Sequence, residues 1–127
     1  MRARLSHEIE TIAVAALAFF TFMLPVVTKA GNAEIASWYG GGEKLNKYTA
    51  NGEIFDPKKL TCASWDHPFD TRLKVINAEN GKSVIVRVND RGPNKRLGRA
   101  IDLTKLAFSK IADTRKGLAL VRIERIE

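Results

Sequence analysis

The stretch "TRLKVINAENGKSVIVRVND", residues 71–90, has the pattern of two antiparallel strands joined by a turn. Apolar side chains occupy every second position on both sides of Asn80-Gly81: Leu73, Val75, Val84, Val86 and Val88. Alternation of this kind predicts strands with one buried face, and Asn-Gly between two such runs predicts a hairpin. The stretch therefore predicts a mainly β domain with this apolar face turned inward.

Shorter runs on either side extend the β pattern. "EIASWYG" (34–40) predicts a first strand that glycines end, and "LALVRIERI" (118–126) predicts a last strand. A single helix is predicted in "DLTKLAFSKIAD" (102–113), with Thr104 as its N-cap. Several short strands with a short helix favour a small closed β-barrel, which leaves no exposed sheet edge.

The N-terminal residues differ from the rest of the chain. Basic residues precede an apolar run over 12–27, and small residues follow it. This order is typical of a secretory signal peptide cleaved after Ala30 or Ala33, and a membrane anchor or a buried core helix are the alternatives. We therefore predict a signal peptide or anchor over 1–33 and one domain over 34–127. The expected location is outside the cytoplasm: periplasm, cell wall or extracellular space.

Charge and cysteine content narrow the function. The 127 residues carry a formal net charge of +7 and one cysteine, Cys62, which forms no internal disulfide and is expected to be a small buried hydrophobe rather than a nucleophile. The positive charge favours anionic polymers or membrane surfaces. We expect no nucleic-acid partner, because basic and aromatic residues do not interleave. No metal site or other cofactor is expected, because His and Cys do not cluster.

Four further segments occur in a specific order along the domain: "ASWYG" (36–40), "TANGEIF" (49–55), "VRVNDRGP" (86–93) and "GRAIDLTKLAF" (98–108). Together they resemble the double-psi β-barrel domain of the rare lipoprotein A (RlpA-like) family. The resemblance implies a six-stranded barrel with one or two short helices and a glycan-binding groove. It also implies a lytic transglycosylase that cleaves peptidoglycan between N-acetylmuramic acid and N-acetylglucosamine to 1,6-anhydro products. Peptidoglycan glycan strands are the expected partner of a monomer that contacts no membrane beyond an N-terminal anchor.

The resemblance also implies a catalytic set of Glu, His and Asp. Glu53 and Asp90 match it, whereas Ser64 stands at the position of the His. A hydroxyl can donate a hydrogen bond but cannot replace an imidazole as a base. His67, three residues on, is a displaced candidate, and Asp70 stands where the family usually has glycine.

Expansins share the fold that the resemblance implies, and their site consists of a Thr and two Asp. Thr49, Asp90 and Asp102 match it. A non-catalytic, expansin-like module that binds or loosens wall polysaccharide is therefore the alternative function, and a degenerate domain that only recruits partners is a third. The candidate substrate-binding residues are Thr49, Asp102, Arg91, Tyr39, Trp65 and His67. The alternative role of Arg91 is a structural ion pair. The alternative for Tyr39 and Trp65 is burial in the hydrophobic core.

The chemistry of lytic transglycosylation requires a carboxyl group that starts protonated. One group must protonate the leaving oxygen, and the same group or another must take a proton from the C6 hydroxyl of muramic acid. Burial or a nearby carboxylate raises the pKa of a carboxyl group. Asp90, at the end of a predicted strand with Asp102 or Glu53 nearby, is predicted to be this acid, and an Asx-turn residue ahead of Gly92 is the alternative.

Overall fold

The computed structural model describes residues 32–126. Its strands are β1 (Glu34–Tyr39), β2 (Thr61–Ala63), β3 (Arg72–Asn77), β4 (Ser83–Asp90), β5 (Ile101–Thr104) and β6 (Leu118–Arg125). One helix, α1 (Lys105–Ser109), and two 3₁₀ turns, Lys95–Leu97 and Thr114–Lys116, complete the described elements. The predicted signal or anchor segment, 1–33, lies outside the described residues except for its last two. Among the described residues there is no helix long and apolar enough to cross a membrane.

The six strands form a closed barrel in the order β1-β5-β2-β4-β3-β6, and β6 pairs back onto β1. The pairs β1–β5 and β2–β4 are parallel, and the other four are antiparallel. The prediction of a six-stranded, mainly β barrel is confirmed. Closure gives each of the six described strands a neighbour on both sides.

The predicted hairpin is formed by β3 and β4. The two strands are antiparallel, with Val75 opposite Val84. Their alternate side chains are buried in the barrel: Leu73, Val75, Val84, Val86 and Val88. Gly81 in the connecting turn has φ +75°, a left-handed conformation that favours glycine. Alternation and turn chemistry together therefore position β4, which ends at Asp90.

The helix is shorter than its apolar spacing predicts. Thr104 is the N-cap, as predicted, and its Oγ1 accepts a hydrogen bond from the backbone N–H of Ala107 at 3.3 Å. The residues before it, including Leu103, belong to β5 and not to the helix. Leu103 and Ile111 fit a helical spacing because both are buried against the same core, although only the middle of the segment is helical.

The core of the barrel is apolar and contains the cysteine. Leu73, Ile101, Leu103 and Phe108 are among its fully buried side chains. Cys62 is also fully buried, and burial raises the pKa of its thiol to about 12. The prediction that Cys62 is a buried hydrophobe is therefore confirmed.

Asp70 has an unusual backbone conformation. Its φ is +68°, and it is the one residue other than glycine with positive φ within 32–126. Glycine adopts this conformation at little cost, so the glycine that the resemblance implies here would fit this backbone. The carboxylate of Asp70 lies 3.0 Å from Nη1 of Arg87.

Candidate active site

A groove of about 500 Å³ lies beside the end of β4. Parts of two loop segments, 45–50 and 90–94, line it. The residues that complete the lining are Tyr39, Phe55, Ala63 and Asp102. The groove therefore collects side chains from β1, β2, β4 and β5, which are neighbours in the barrel.

The strand register places Asp90 and Asp102 on the two sides of one residue. β2 lies between β4 and β5, and Ala63 pairs with Asp90 on one neighbour and with Asp102 on the other. A register shift between Cys62 and Ala63 places Asp90 rather than Asn89 opposite Ala63. Because a bulge of this kind re-aims side chains, it delivers the carboxyl of Asp90 to the groove.

Asp90 has three hydrogen-bond donors around its carboxyl group. The backbone N–H groups of Ala50 and Arg91 donate to Oδ1 at 2.9 and 2.8 Å. The hydroxyl of Tyr39 donates to Oδ2 at 3.2 Å. Since a backbone N–H can only donate, Oδ1 acts as an acceptor and cannot carry a proton in this arrangement. This geometry suits a carboxylate better than a proton donor.

Asp102 has a different environment. Ser37 Oγ donates to Oδ1 of Asp102 at 3.1 Å. Burial raises the pKa of Asp102 to about 6, although the hydrogen bond from Ser37 and the charge of Arg99 act against the shift. The negative charge of Asp90 adds to it. Asp102 is therefore the groove carboxyl group whose surroundings favour the protonated form.

Tyr39 connects the carboxylate to the groove wall. Its ring packs against Phe55 with 4.7 Å between centroids, which fixes the direction of the hydroxyl. Burial, and after it the charge of Asp90, raises the pKa of Tyr39, so the phenol stays protonated and donates to Asp90. Tyr39 was predicted to bind substrate, with the core as its alternative, and that role stays a prediction; in the structure its half-buried ring packs on Phe55 and its hydroxyl donates to Asp90.

Glu53 lies outside this groove. Its two carboxylate oxygens face Nη1 and Nη2 of Arg87, both at 2.7 Å. Asn51 Nδ2 donates to it at 2.7 Å and Asn89 Nδ2 at 3.2 Å. The hydrogen bonds from Arg87 first, then Asn51, lower the pKa of Glu53 to about 2. Its catalytic role stays a prediction, and this geometry does not favour a proton donor.

Ser64 and His67 are tied to a loop that Arg91 braces. Ser64 is buried, and its Oγ accepts from the backbone N–H of Asp66 at 3.2 Å. Arg91 Nη1 donates to the carbonyl oxygens of Ser64 and His67, both at 2.8 Å. The guanidinium carbon lies 3.9 Å from the ring centroid of Phe69. These contacts brace the loop through carbonyl oxygens and a ring rather than through the ion pair considered from the sequence, and a role of Arg91 in substrate binding stays a prediction.

Of two exposed aromatic rings, one lines the groove and the other contacts a residue of its lining. Tyr48 lines it and is 56% exposed, although sequence analysis did not select it. Its only sequence signal is its place directly before the "TANGEIF" segment. Trp65 is 49% exposed, and its Nε1 donates to the carbonyl of Pro93, a lining residue, at 2.7 Å. Both rings therefore have surface available for a ligand.

The structure brings together five of the nine candidate residues in the groove lining: Thr49, Asp90, Arg91, Tyr39 and Asp102. Within 32–126, the other four are outside that lining: Glu53, Ser64, Trp65 and His67. Thr49 is buried, and its Oγ1 donates to Oδ1 of Asn51 at 2.6 Å, so it holds the loop that carries Ala50. The described part of the chain holds no cluster of three or more His, Cys, Asp or Glu suited to a metal ion.

Comparison with known families decides the identity of this barrel. The lytic transglycolase family matches residues 31–123, which is most of the chain. The chain belongs to this family. The match includes the whole groove and every strand from β1 to β5, so the arrangement of Asp90 and Asp102 belongs to a lytic transglycolase domain.

Curated relatives agree with the family. The endolytic peptidoglycan transglycosylase RlpA of Vibrio cholerae is 49% identical over 92 residues, which are 72% of this chain and 34% of that protein. The RlpA of Rickettsia bellii is 48% identical over 91 residues, 70% of this chain and 40% of that protein. A probable RlpA from Nostoc sp. is 48% identical over 71% of this chain and 24% of its own length. The chain thus spans from about a quarter to two fifths of the length of these relatives.

Solved structures with the same fold include a mutant Clavibacter michiganensis expansin in complex with cellohexaose. It aligns with a TM-score of 0.58 at 17% identity, over 75% of this chain and 50% of that one. The Streptomyces papain inhibitor aligns with a TM-score of 0.54 at 21% identity, over 74% and 94% of the two chains. At these identities the likeness shows the fold alone.

Proposed function

We propose that this domain is an endolytic peptidoglycan transglycosylase that acts outside the cytoplasm on glycan strands. The observation that carries the proposal is the pair of carboxyl groups on the two sides of Ala63, one surrounded by hydrogen-bond donors and one desolvated. Two carboxyl groups with different environments, next to one groove, suit an acid and a charge-stabilising anion. The relatives named as peptidoglycan transglycosylases support peptidoglycan as the substrate.

In the proposed reaction Asp102 is the acid and Asp90 is the anion. Asp102 gives its proton to the bridging oxygen between N-acetylmuramic acid and N-acetylglucosamine, and the bond from that oxygen to C1 breaks. The negative charge of Asp90 stabilises the positive charge that develops on the sugar. The C6 hydroxyl then bonds to C1 while its proton passes to the carboxylate of Asp102. The 1,6-anhydro ring closes without consuming water, and Asp102 ends protonated, as it began.

This assignment differs from the sequence-based one, which gave the proton to Asp90. Ser37 holds Oδ1 of Asp102, so a proton on this carboxyl group is carried by Oδ2. Asp90 has two backbone donors on Oδ1 and the Tyr39 hydroxyl on Oδ2, and these three hydrogen bonds stabilise an anion. Tyr48 and Trp65 would add flat apolar faces against which sugar rings can pack.

The experiment is to incubate the purified protein with peptidoglycan, both intact and stripped of stem peptides, and to detect products by mass spectrometry. The expected products are 1,6-anhydro muropeptides or 1,6-anhydro glycans. They should be lost in Asp102→Asn and in Asp90→Asn and be retained in the control Glu79→Gln, which changes an exposed carboxylate outside the groove. Products of hydrolysis, with a free reducing end, would contradict the proposed mechanism.

The non-catalytic, expansin-like function is the second candidate, and one observation favours it. The resemblance implies a His at the position of Ser64, whose buried hydroxyl accepts from the backbone of Asp66 and supplies no base. Binding of the wild-type protein to both peptidoglycan substrates without any 1,6-anhydro product would favour this function over the enzyme.

A further inference from the structure

Strand β4 holds one loop turn through three nearby residues. We call residues 49–53 the NGE turn. The backbone N–H of Ala50 donates to Oδ1 of Asp90, and the N–H of Asn51 donates to the carbonyl of Asn89 at 3.2 Å. Arg87 makes the bidentate pair with Glu53 at the end of the turn. The turn is thus held at its start, middle and end by the strand that carries the groove carboxylate.

The side chain of Glu53 is arranged as an anchor. Both of its oxygens accept from Arg87, at 2.7 Å each, and Asn51 and Asn89 supply two more donors. Bidentate pairs between Arg and a carboxylate add geometric specificity as well as attraction. Within the turn, the N–H of Thr49 donates to the carbonyl of Glu53 at 2.7 Å, so a displacement of Glu53 is passed directly to the residue before Ala50.

The hydrogen bond from Asn89 to Glu53 leaves another buried polar atom of Asn89 without a partner among the described residues. Its side chain is buried and Nδ2 donates to Glu53, while Oδ1 has no hydrogen-bond partner among the described residues. A buried acceptor without a partner is unfavourable, and native proteins keep few of them. The carboxylate of Glu53 only accepts, so it fixes the amide of Asn89 in this orientation.

We propose that Arg87 is a positioning residue for the reaction: through Glu53 it holds the NGE turn so that the Ala50 N–H meets Asp90. Glu53 belongs to the same brace and does not exchange a proton with substrate. The proposal rests on the proposed function for its kinetic consequence only, because the position of the turn can also be measured without turnover.

The kinetic test is a double-mutant cycle with Arg87→Met, Glu53→Gln and the double variant. Misplacement of a reacting group by 1 Å can cost about a hundredfold, so each single variant is expected to lower kcat by about ten- to a hundredfold. The double variant is expected to be no slower than the slower single variant, because both substitutions break one brace. Losses that multiply in the double variant would mean that the two residues act independently, and that result would overturn the brace.

A conservative variant and a matched control complete the cycle. Arg87→Lys keeps the charge and loses the bidentate geometry, so it should recover only part of kcat. Lys74→Met removes a cation from the neighbouring strand β3, where no hydrogen bond to the NGE turn exists among the described residues, and should leave kcat unchanged. The Arg87 and Glu53 side chains are 34% and 39% exposed, so the variants should still fold.

The second measurement is amide hydrogen exchange, which needs no substrate. In Arg87→Met and Glu53→Gln, the amides of Ala50 and Asn51 should exchange at least about tenfold faster, while those of β3 and β6 stay protected. Unchanged exchange in the turn would overturn the brace even if kcat fell. Faster exchange in a protein without any turnover would support the brace and refute the proposed function.

Discussion

Two groups of acidic residues near the end of β4 shift the pKa of a carboxyl group in opposite directions. In the groove, burial raises the pKa of Asp102 to about 6, and a serine hydroxyl is its one side-chain donor in the described structure. At the NGE turn, Arg87 and Asn51 lower the pKa of Glu53 to about 2. The first arrangement makes a proton available near neutral pH, and the second removes it entirely. The comparison teaches that donors and burial, rather than residue type, decide which carboxyl group can be the acid.

The largest effect is expected for Asp102→Asn. An amide cannot give or take the proton, and general acid–base catalysis contributes about 10²–10⁴ in rate. We therefore expect kcat for 1,6-anhydro product formation to fall by about that factor, while affinity for glycan strands measured by pull-down changes little. Glu53→Gln should cost less than Asp102→Asn. The reverse order would break the comparison between the two groups.

The pH dependence of turnover should reflect the titration of Asp102 in the groove and not that of Glu53 in the NGE turn. Asp102 must start protonated, so kcat should fall about tenfold per pH unit above its pKa of about 6. Glu53 is ionised over this whole range and contributes no limb. A pH–rate profile from pH 4 to 9 checks this, and a profile that rises through pH 6 would contradict the assignment of Asp102 as the acid.

The free energy of unfolding should also depend on pH through Asp102. The pKa of Asp102 is raised from 3.8 to about 6, so the folded state binds more protons than the unfolded state between these values. Its contribution to the free energy of unfolding is therefore lost as pH rises through this window. At pH 7 Asp102→Asn should stabilise the protein by about 1–3 kcal/mol in urea denaturation, and at pH 3.5 the gain should vanish.

A smaller effect is expected for the exposed rings. Tyr48→Ala and Trp65→Ala each remove an aromatic face, which is worth about 0.5–1.5 kcal/mol, or about two- to tenfold in affinity. We expect a rise in KM with kcat nearly unchanged. Leu97→Ala, which truncates another exposed apolar side chain outside the groove lining, is the control. An equal rise in KM for the control would remove the case for sugar packing.

The smallest effect is expected for Asp70→Gly. Glycine relieves a φ of +68°, which costs about 1 kcal/mol for a side-chain residue. The lost ion pair with Arg87 involves an Asp70 side chain that is 75% exposed, and such pairs contribute about 0–1 kcal/mol. Tm should therefore change by only a few degrees in either direction. Loss of half or more of kcat would show that Asp70 also supports the brace.

The sequence predicts those parts of the fold that have a regular pattern. Alternation identifies β3, β4 and the first half of β6, because these segments have one face in the core. β2 escapes the pattern since its three residues are all buried, and β5 is hidden in an apparent helix since Leu103 has helical spacing with residues that share its core. Ala63 belongs to β2 and pairs with Asp102 of β5, so the central part of the site is the part that alternation could not reveal.

Sequence motifs predicted which residues belong to the candidate site, but not the surroundings of those residues. Asp90 and Asp102 were selected from segments of the sequence, and both line the groove. Their different environments depend on the bulge next to Ala63 and on donors from Ala50 and Ser37, which are distant in sequence. Glu53 likewise pairs with Arg87 outside the groove, and no local sequence pattern predicts this pair.

The buried thiol of Cys62 can report on the opening of β2. Cys62 is the chain's single cysteine, and it directly precedes the residue that lies between the two aspartates. Because it is fully buried and its pKa is raised to about 12, an alkylating reagent can reach a reactive thiolate only when β2 opens. The alkylation rate of the unmodified protein thus reports how often β2 separates from its neighbours at the proposed reaction centre, and no engineered label is needed.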